Sequence, residues 1–305
     1  MKNTQRVRCG IDLGGTKIEG ILLETANDGY QVIERLRLPT EQEKGYRHIL
    51  EQIKKVVQEL EAKSGITVTN PGICTPGSLE PATNTLKNSN TVCLNGKPIK
   101  LDLEAMLGFP VAIANDANCF ALAEATLGAV PAQVPGAKTV FGIIMGTGVG
   151  GGIVVDGGVI NGRHGVGGEW GHNFLDSSGG ACYCGRSGCV ETVISGTALE
   201  NFYRSCGGDD KTLKEIMASY QKGNDQCATQ TVERLLHFFG RAIGPIINIL
   251  DPDTIVIGGG VGNIDLLYTE GVKRVKQHIF NGTLTTPFLK PKLGDSAGVF
   301  GAAML

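Results

Sequence analysis

The sequence has few of the features that would direct it to a membrane, a nucleic acid or the cell exterior. No apolar stretch approaches the roughly eighteen residues that a bilayer-spanning helix needs. The first dozen residues, MKNTQRVRCGID, contain no apolar core of signal-peptide length. A charge excess is also missing. Lys and Arg number 28 against 30 Asp and Glu, and the pI is near 6.2, which argues against nucleic acid as a main partner. There is no low-complexity run. Cysteines are present, but their number, nine, is odd and no export signal precedes them, which points to a reducing cytoplasm rather than a disulfide framework. What remains is a globular cytoplasmic protein of 305 residues, a length that suits two medium lobes. Glycine is abundant, 45 residues, about twice the usual share of ~7%. Without collagen period or disorder, that surplus suggests turns whose backbone approaches a ligand closely.

The densest chemistry lies between Gly168 and Gly196, GEWGHNFLDSSGGACYCGRSGCVETVISG. His172, Cys182, Cys184 and Cys189 follow the spacing H-x9-C-x-C-x4-C, with Gly185 and Gly188 between the thiols. Three thiolates and an imidazole give Zn²⁺ a closed tetrahedral shell of the structural kind. The alternative is three free thiols and an unrelated histidine; a disulfide would leave one cysteine over. Two carboxylates, Glu169 and Glu191, flank the ligands, so fixing His172 and Cys189 on one ion draws both toward one place. An ionised carboxylate accepts hydrogen bonds and donates none, which suits the adjacent hydroxyls of a sugar.

In this stretch E-x-G-H followed by C-x-C-G-x-x-G-C-x-E resembles the signature of the ROK family of sugar kinases and sugar-responsive repressors, and the likeness extends over nearly the whole chain.

Elsewhere two glycine turns repeat one plan. Val7 to Asp12 and Ile18 to Leu23 read as paired strands around Asp12-Leu-Gly-Gly-Thr-Lys17, where backbone N–H groups of Gly14 and Gly15 can face an anion. Thr16 adds a hydroxyl, Lys17 a charge, and Asp12 a hard ligand for Mg²⁺; an ordinary hairpin is the plainer reading. Thr139 to Met145, then Gly146-Thr147-Gly148-Val-Gly-Gly-Gly152, then Ile153 to Asp156, repeats the unit. Two such units suggest two related lobes, with phosphates held from both sides of a cleft. Tyr46 to Lys63 is an amphipathic helix, and Ile66 to Cys74 returns to the sheet. Val111 to Ala114 is a short strand running into a helix from Ala117, which puts Asp116 at the junction. Asp116 can cap that helix; alternatively Asn115 or Asn118 caps it and Asp116 points elsewhere. Leu86 to Pro98 is a polar loop in which Asn88 and Asn90 offer amides. Ala228 to Leu250 is one long helix with bends expected at Gly240, Gly244 and Pro245. After the strand in DPDTIVIGGGVG, Gly258, Gly259 and Gly260 would let adenine or ribose approach.

The family resemblance implies an α/β architecture of two ribonuclease-H-like, actin-like lobes with a cleft between them. Lobe one would comprise residues 1–114 plus 291–305, the terminal small-residue helix returning to pack on it; lobe two would be 115–290. It implies ATP with Mg²⁺ at both Gly-Thr turns and a hexose at Asn115, Asp116, Glu169, His172 and Glu191, with Gly77 and Asn90 nearby. Asp116 would be the general base, and His172 would bind Zn²⁺ by one ring nitrogen and face the sugar with the other. Cys74 stands where the family's G-x-G-x-P-G turn has a glycine. Segments such as GEWGHN and LKNSNTVCLNGKP are most similar to the fructokinase or mannofructokinase branch, so the expected product is fructose 6-phosphate, made by a homodimer. The alternatives are an N-acetylhexosamine or glucose kinase, or a sugar-sensing regulator, although the first strand begins near Val7 and leaves no room ahead of it for a helix-turn-helix domain. An actin-like or chaperone-like ATPase on the same fold is a further alternative that the two glutamates disfavour.

Overall fold

The computed structural model describes residues 6–26 and 29–305. The reading of the first dozen residues as free of a leader rests in part on residues 1–5, which lie outside the described residues. In chain order the elements are β1 (Arg6–Leu13), β2 (Lys17–Ala26), β3 (Gly29–Pro39), α1 (Tyr46–Ser64), β4 (Gly72–Thr75), β5 (Ser78–Glu80), β6 (Thr85–Lys87) and α2 (Ile99–Leu107). There follow β7 (Ala112–Asn115), α3 (Asp116–Thr126), α4 (Ala129–Gln133), β8 (Thr139–Met145), β9 (Val149–Val155) and β10 (Gly158–Val159). The remainder is α5 (Val190–Ile194), α6 (Gly196–Ser205), α7 (Leu213–Lys222), α8 (Gln226–Leu250), β11 (Thr254–Gly258), α9 (Gly259–Gly262), α10 (Glu270–Lys276), β12 (Phe288–Leu289) and α11 (Ala297–Ala303).

Two compact units result. The first holds Met1–Gly136, Gly152–Gly168 and Lys292–Leu305; the second holds Ala137–Gly151 and Glu169–Pro291. The division differs from the one read from the sequence: residues 115–136 and 152–168 join the first unit. The reason is packing. The peptide of Cys119 in α3 lies so close to α11 that a Cβ on Gly301 would sit 1.8 Å from the Cys119 carbonyl oxygen. A buried carboxylate, Glu124, also ties α3 to the returning chain by accepting from the backbone N–H groups of Ala129 at 2.8 Å, Lys292 at 3.0 Å and Leu293 at 2.8 Å.

In the first unit the sheet order is β3-β2-β1-β4-β7. β1 pairs antiparallel with β2 and parallel with β4, which pairs parallel with β7. One face is closed by α1, whose Ile49, Leu50, Ile53, Val56, Val57 and Leu60 recur at helical spacing and are all buried. The other face takes α11, and here side chains must be absent. A Cβ on Gly10 would meet the Val299 carbonyl oxygen at 2.2 Å, and one on Gly72 the Ala302 carbonyl oxygen at 1.8 Å. Strand β4 is shorter than the sequence suggests, because residues 66–71 form no strand. Its register sets Asp12 beside Cys74, and Cys74 beside Ala114, at the carboxyl ends of three parallel strands. Ligands of α/β proteins gather at such ends.

The second sheet runs β10-β9-β8-β11-β12. β9 begins at Val149, so Gly150 to Gly152 are strand residues rather than turn, and the turn proper is Gly146-Thr147-Gly148. The 25-residue α8 is a continuous helix through Pro245. Gly240 and Gly244 have a different use from the bends expected of them: added Cβ atoms would meet Arg274 and His278 at 2.7 Å, so they let α10 and the segment after it lie against α8. No helix among the described residues is long and apolar enough to cross a membrane.

Candidate functional site

In the first unit, the Gly14-Gly15-Thr16 turn joins β1 to β2. Gly14 N–H closes the hairpin on the Lys17 carbonyl at 3.0 Å, so that donor is committed to the turn itself. Thr40, fully buried and unremarkable in the sequence, pins the turn twice. Its hydroxyl donates to the Gly14 carbonyl at 2.7 Å and its N–H to the Thr16 carbonyl at 3.0 Å. Thr16 and Lys17 are exposed. The Lys17 ammonium lies 3.9 Å from Glu19, a buried carboxylate that also pairs with Arg35 and with Arg37 at 3.0 Å.

Asp12 sits at the end of β1 with its carboxylate against Gly298. Burial pushes its pKa up, and the charges of Glu19 and Asp116 add to the rise. A hydrogen bond from the Cys74 thiol and the Lys17 charge oppose it. Cys74, the departure from the family turn, is therefore a donor to the candidate magnesium ligand; contact with Cys119 and burial keep its own thiol protonated. Asp12, whose charge is disfavoured by burial and by the nearby negative charge of Asp116, is an oxygen donor of the kind a hard divalent cation such as Mg²⁺ takes.

The β7–α3 junction resolves the question of the cap. Asn115, at the end of β7, accepts the Asn118 N–H on its side-chain oxygen at 2.8 Å and is the N-cap of α3. Its amide nitrogen points to Ser78 Oγ at 3.4 Å. The Asn115 side chain, expected to orient a sugar, is thus engaged in the fold on both ends. Asp116 is the first residue of α3, one of its oxygens accepting the Ala117 N–H at 2.8 Å. Asp116 is exposed by surface area, yet desolvation of its carboxylate by the protein packed around it raises its pKa above the usual aspartate value, the backbone N–H groups of Ala117 and of Asp116 itself working the other way.

Gly77 requires its left-handed backbone, φ 99°, and a Cβ there would lie 2.5 Å from the Lys87 carbonyl oxygen. Asn90 is exposed, and the loop around it is fixed by a reciprocal pair that no sequence motif singles out. The Ser89 N–H donates to Asn95 Oδ1 at 2.8 Å, and the Asn95 amide returns to the Ser89 carbonyl at 2.9 Å.

In the second unit, the imidazole and thiol donors of His172, Cys182, Cys184 and Cys189 all lie within 4.8 Å of one another. Cys182 Sγ is 3.6 Å from His172 Nδ1, and Cys184 Sγ is 3.7 Å from Cys189 Sγ. With Zn–S about 2.3 Å and Zn–N about 2.0–2.1 Å, tetrahedral angles put S and N about 3.6 Å apart and two sulfurs about 3.75 Å apart. Those two separations match zinc, and the outer bound of 4.8 Å on the whole set leaves about 1 Å of closure for the ion to draw in. Local structure accounts for this: Cys182 N–H closes on the Arg186 carbonyl at 2.8 Å, and Gly188 N–H on the Gly180 carbonyl at 2.8 Å, folding the thiols inward.

The orientation of His172 departs from expectation. With Nδ1 on the thiol side, Nε2 meets the Tyr183 hydroxyl at 2.9 Å, in an edge-on ring pair. The second nitrogen is held by tyrosine. Tyr183 is largely exposed, yet desolvation of its hydroxyl and then the charges of Glu191 and Glu169 raise its pKa to about 12, an unforeseen phenol in the loop. Glu191 is also tied elsewhere, accepting the Val149 N–H at 2.9 Å beside the Gly146-Thr147-Gly148 turn. At the end of β11, Gly258 to Gly260 are the last strand residue and the start of the short helix α9 rather than a plain turn. Gly259 has φ 81° and abuts the Met145 carbonyl, so it serves packing, while the space beside Gly260 is open.

A family profile described as "ROK family" matches residues 8–305. The N-acetyl-D-glucosamine kinase of Vibrio cholerae serotype O1 is 35% identical over 308 residues, spanning 97% of this chain and 98% of that protein. The enzyme of the same description from Yersinia enterocolitica is 35% identical over 306 residues, with 97% and 98% covered. Among solved structures, a ROK hexokinase from Thermus thermophilus superposes with a TM-score of 0.86 at 30% identity, covering 98% of this chain and 97% of that one. A ROK glucokinase from Streptomyces griseus, solved with glucose and AMPPNP, gives 0.73 at 26% identity, with 98% of each chain covered.

Proposed function

The chain belongs to the ROK family and has its two-lobed, ribonuclease-H-like α/β fold, and from that premise we propose that this sugar kinase transfers the γ-phosphoryl group of ATP to an N-acetylhexosamine, with N-acetyl-D-glucosamine as the acceptor. Fructose, preferred from short segments of the sequence, is set aside. The relatives that are 35% identical over nearly the whole chain are N-acetyl-D-glucosamine kinases, which supports the acceptor first held as the alternative.

The observation that carries the catalytic assignment is the cap of α3. Because Asn115 accepts the Asn118 N–H, the carboxylate of Asp116 is not needed to start the helix. It is solvent-reached, stands near Asp12 and has a raised pKa, the properties of a base poised above the ordinary aspartate range. Phosphoryl transfer is governed by positioning and charge balance. Asp116 accepts the proton of the attacking hydroxyl and aims its oxygen. Asp12 supplies an anionic ligand for the cation of the nucleotide. Thr16 and Lys17 in one turn, and Gly146, Thr147 and Gly148 in the other, present donors to phosphate oxygens. Glu169 and the second carboxylate oxygen of Glu191 accept from sugar hydroxyls. His172, Cys182, Cys184 and Cys189 would hold Zn²⁺, which would order the loop that bears the glutamates, and Mg²⁺ carried by ATP would supply charge to balance the phosphates.

A coupled ADP-release assay across N-acetyl-D-glucosamine, N-acetyl-D-mannosamine, glucose, mannose and fructose tests the reading. The largest kcat/KM belongs to N-acetyl-D-glucosamine. A larger value for fructose would return the acceptor to the branch the sequence segments resembled, and no turnover of any hexose would defeat the kinase assignment.

A further inference from the structure

The turn Gly146-Thr147-Gly148 and the strand residues after it are held by the cysteine–histidine segment at four points. The Trp170 indole N–H donates to the Gly150 carbonyl at 2.9 Å. The Val149 N–H donates to Glu191 Oε2 at 2.9 Å. The Gly196 N–H donates to the Gly146 carbonyl at 2.7 Å. Gly171 lies so close to Val149 that a Cβ on it would be 2.1 Å from the Val149 carbonyl oxygen, and a Cβ on Gly148 would be 2.5 Å from Glu191 Oε2. Trp170 is buried, its ring edge-on to Phe141 of β8 at 6.0 Å, so its N–H is aimed by packing.

These contacts come from residues adjoining the ligand set. Trp170 and Gly171 immediately precede His172. Cys189 is the N-cap of α5, and Glu191 is the second residue of that helix. Whatever fixes His172 and Cys189 relative to each other therefore fixes the two groups that grip Val149 and Gly150. We infer that the cysteine–histidine loop is the brace of the Gly146-Thr147-Gly148 turn, with Trp170 and Glu191 as its positioning residues, so that zinc in this loop sets the affinity for nucleotide as well as for sugar. The inference rests on the reading of that turn as a phosphate-holding turn, and it goes beyond a loop that serves the sugar alone.

Trp170→Phe isolates the brace. It keeps an aromatic ring against Phe141, deletes the N–H to Gly150 and replaces neither a zinc ligand nor a residue placed against sugar or nucleotide. Titration of MgADP by calorimetry in the absence of sugar should show a dissociation constant raised about three- to tenfold, the effect of one lost hydrogen bond. Sugar affinity should stay within about twofold and zinc content at the wild-type level, a split that a general loss of stability would not produce. Removal of zinc from the wild-type protein by a chelator should weaken MgADP binding in the same direction, with a red shift in the emission of Trp170, the only tryptophan of the chain. Thr147→Val in the zinc-loaded protein tests the premise separately. If it weakens MgADP binding while Trp170→Phe and zinc removal leave it unchanged, the brace is overturned and the phosphate turn stands. If Thr147→Val also leaves MgADP binding unchanged, the turn does not hold phosphate and the inference falls with it.

Discussion

Asp116→Asn is the substitution that most directly tests the catalytic reading. Asparagine keeps the size and one acceptor oxygen but takes no proton from a hexose hydroxyl. General-base assistance is commonly worth ~10²–10⁴ in rate, about 2.7–5.4 kcal/mol of barrier at 1.36 kcal/mol per decade. The fold should not suffer. The cap of α3 is Asn115, whose oxygen takes the Asn118 N–H at 2.8 Å, and the substitution leaves it intact. The direction of the Asp116 shift gives a further sign. Its folded pKa lies above the ordinary 3.8, so the folded chain binds this proton more tightly than the unfolded one. The stabilisation is complete below 3.8 and is lost as pH rises through the folded value; solvent around this exposed residue screens the effect, so loss of the charge at neutral pH is expected to leave stability close to that of the wild type. The expected result at pH 7 is an unchanged or higher Tm, a sugar Kd altered less than about tenfold, and kcat lower by ~10²–10⁴. In the wild type, kcat/KM should fall as pH drops through this raised value, which places the acid limb above 3.8. Calorimetric melting, sugar titration and a coupled ADP assay on one preparation supply all three numbers. A variant that melts early yet turns over near the wild-type rate would refute the assignment and make Asp116 structural.

Three further outcomes are expected. Protein purified without added metal should carry about one zinc per chain, as a single four-ligand site requires, and Cys184→Ser should lose metal and sugar affinity together; elemental analysis near zero with full activity would remove zinc from the site. Asn115→Ala should lower stability by about 1 kcal/mol in urea melts, the usual worth of an N-cap, and lower kcat as well because the first turn carrying Asp116 loosens; unchanged stability would mean that the cap is dispensable. Asp225 caps α8, and the Ala228 N–H, the Tyr203 hydroxyl and Lys211 hold its pKa down to about 2 from 3.8. Its contribution is present above 3.8 and lost as pH falls through about 2. The Tm difference between wild type and Asp225→Asn should therefore be largest at neutral pH and close in that acid window; a difference that does not shrink there would show that Asp225 acts through something other than its charge.

Local patterns of the sequence were enough to establish the parts of this protein whose physics is local. His172, Cys182, Cys184 and Cys189 could be grouped because three ligands fall within eight residues and a tight glycine loop folds them inward whatever the rest does. The helical stripe of α1 and strand β8 were legible from the period of their apolar residues, since burial on one face imposes it. Tertiary structure decided what depends on partners far along the chain. The cap of α3 could have been Asn115, Asn118 or Asp116, and only the placed backbone chooses. Tyr183 on His172 Nε2 and Thr40 on the first turn carry no mark in the sequence, because any tyrosine or threonine reads alike until the chain brings it to a partner; Cys74 stood out only as a departure from a glycine, and its place beside Asp12 is set by the sheet. The grip of Glu191 on Val149 spans 42 residues, and the clasp of Glu124 on Lys292 spans 168. Spacing encodes what one turn or one helix can close on itself; contacts at such separations are fixed only when sheets and helices pack, because packing is where their geometry comes from.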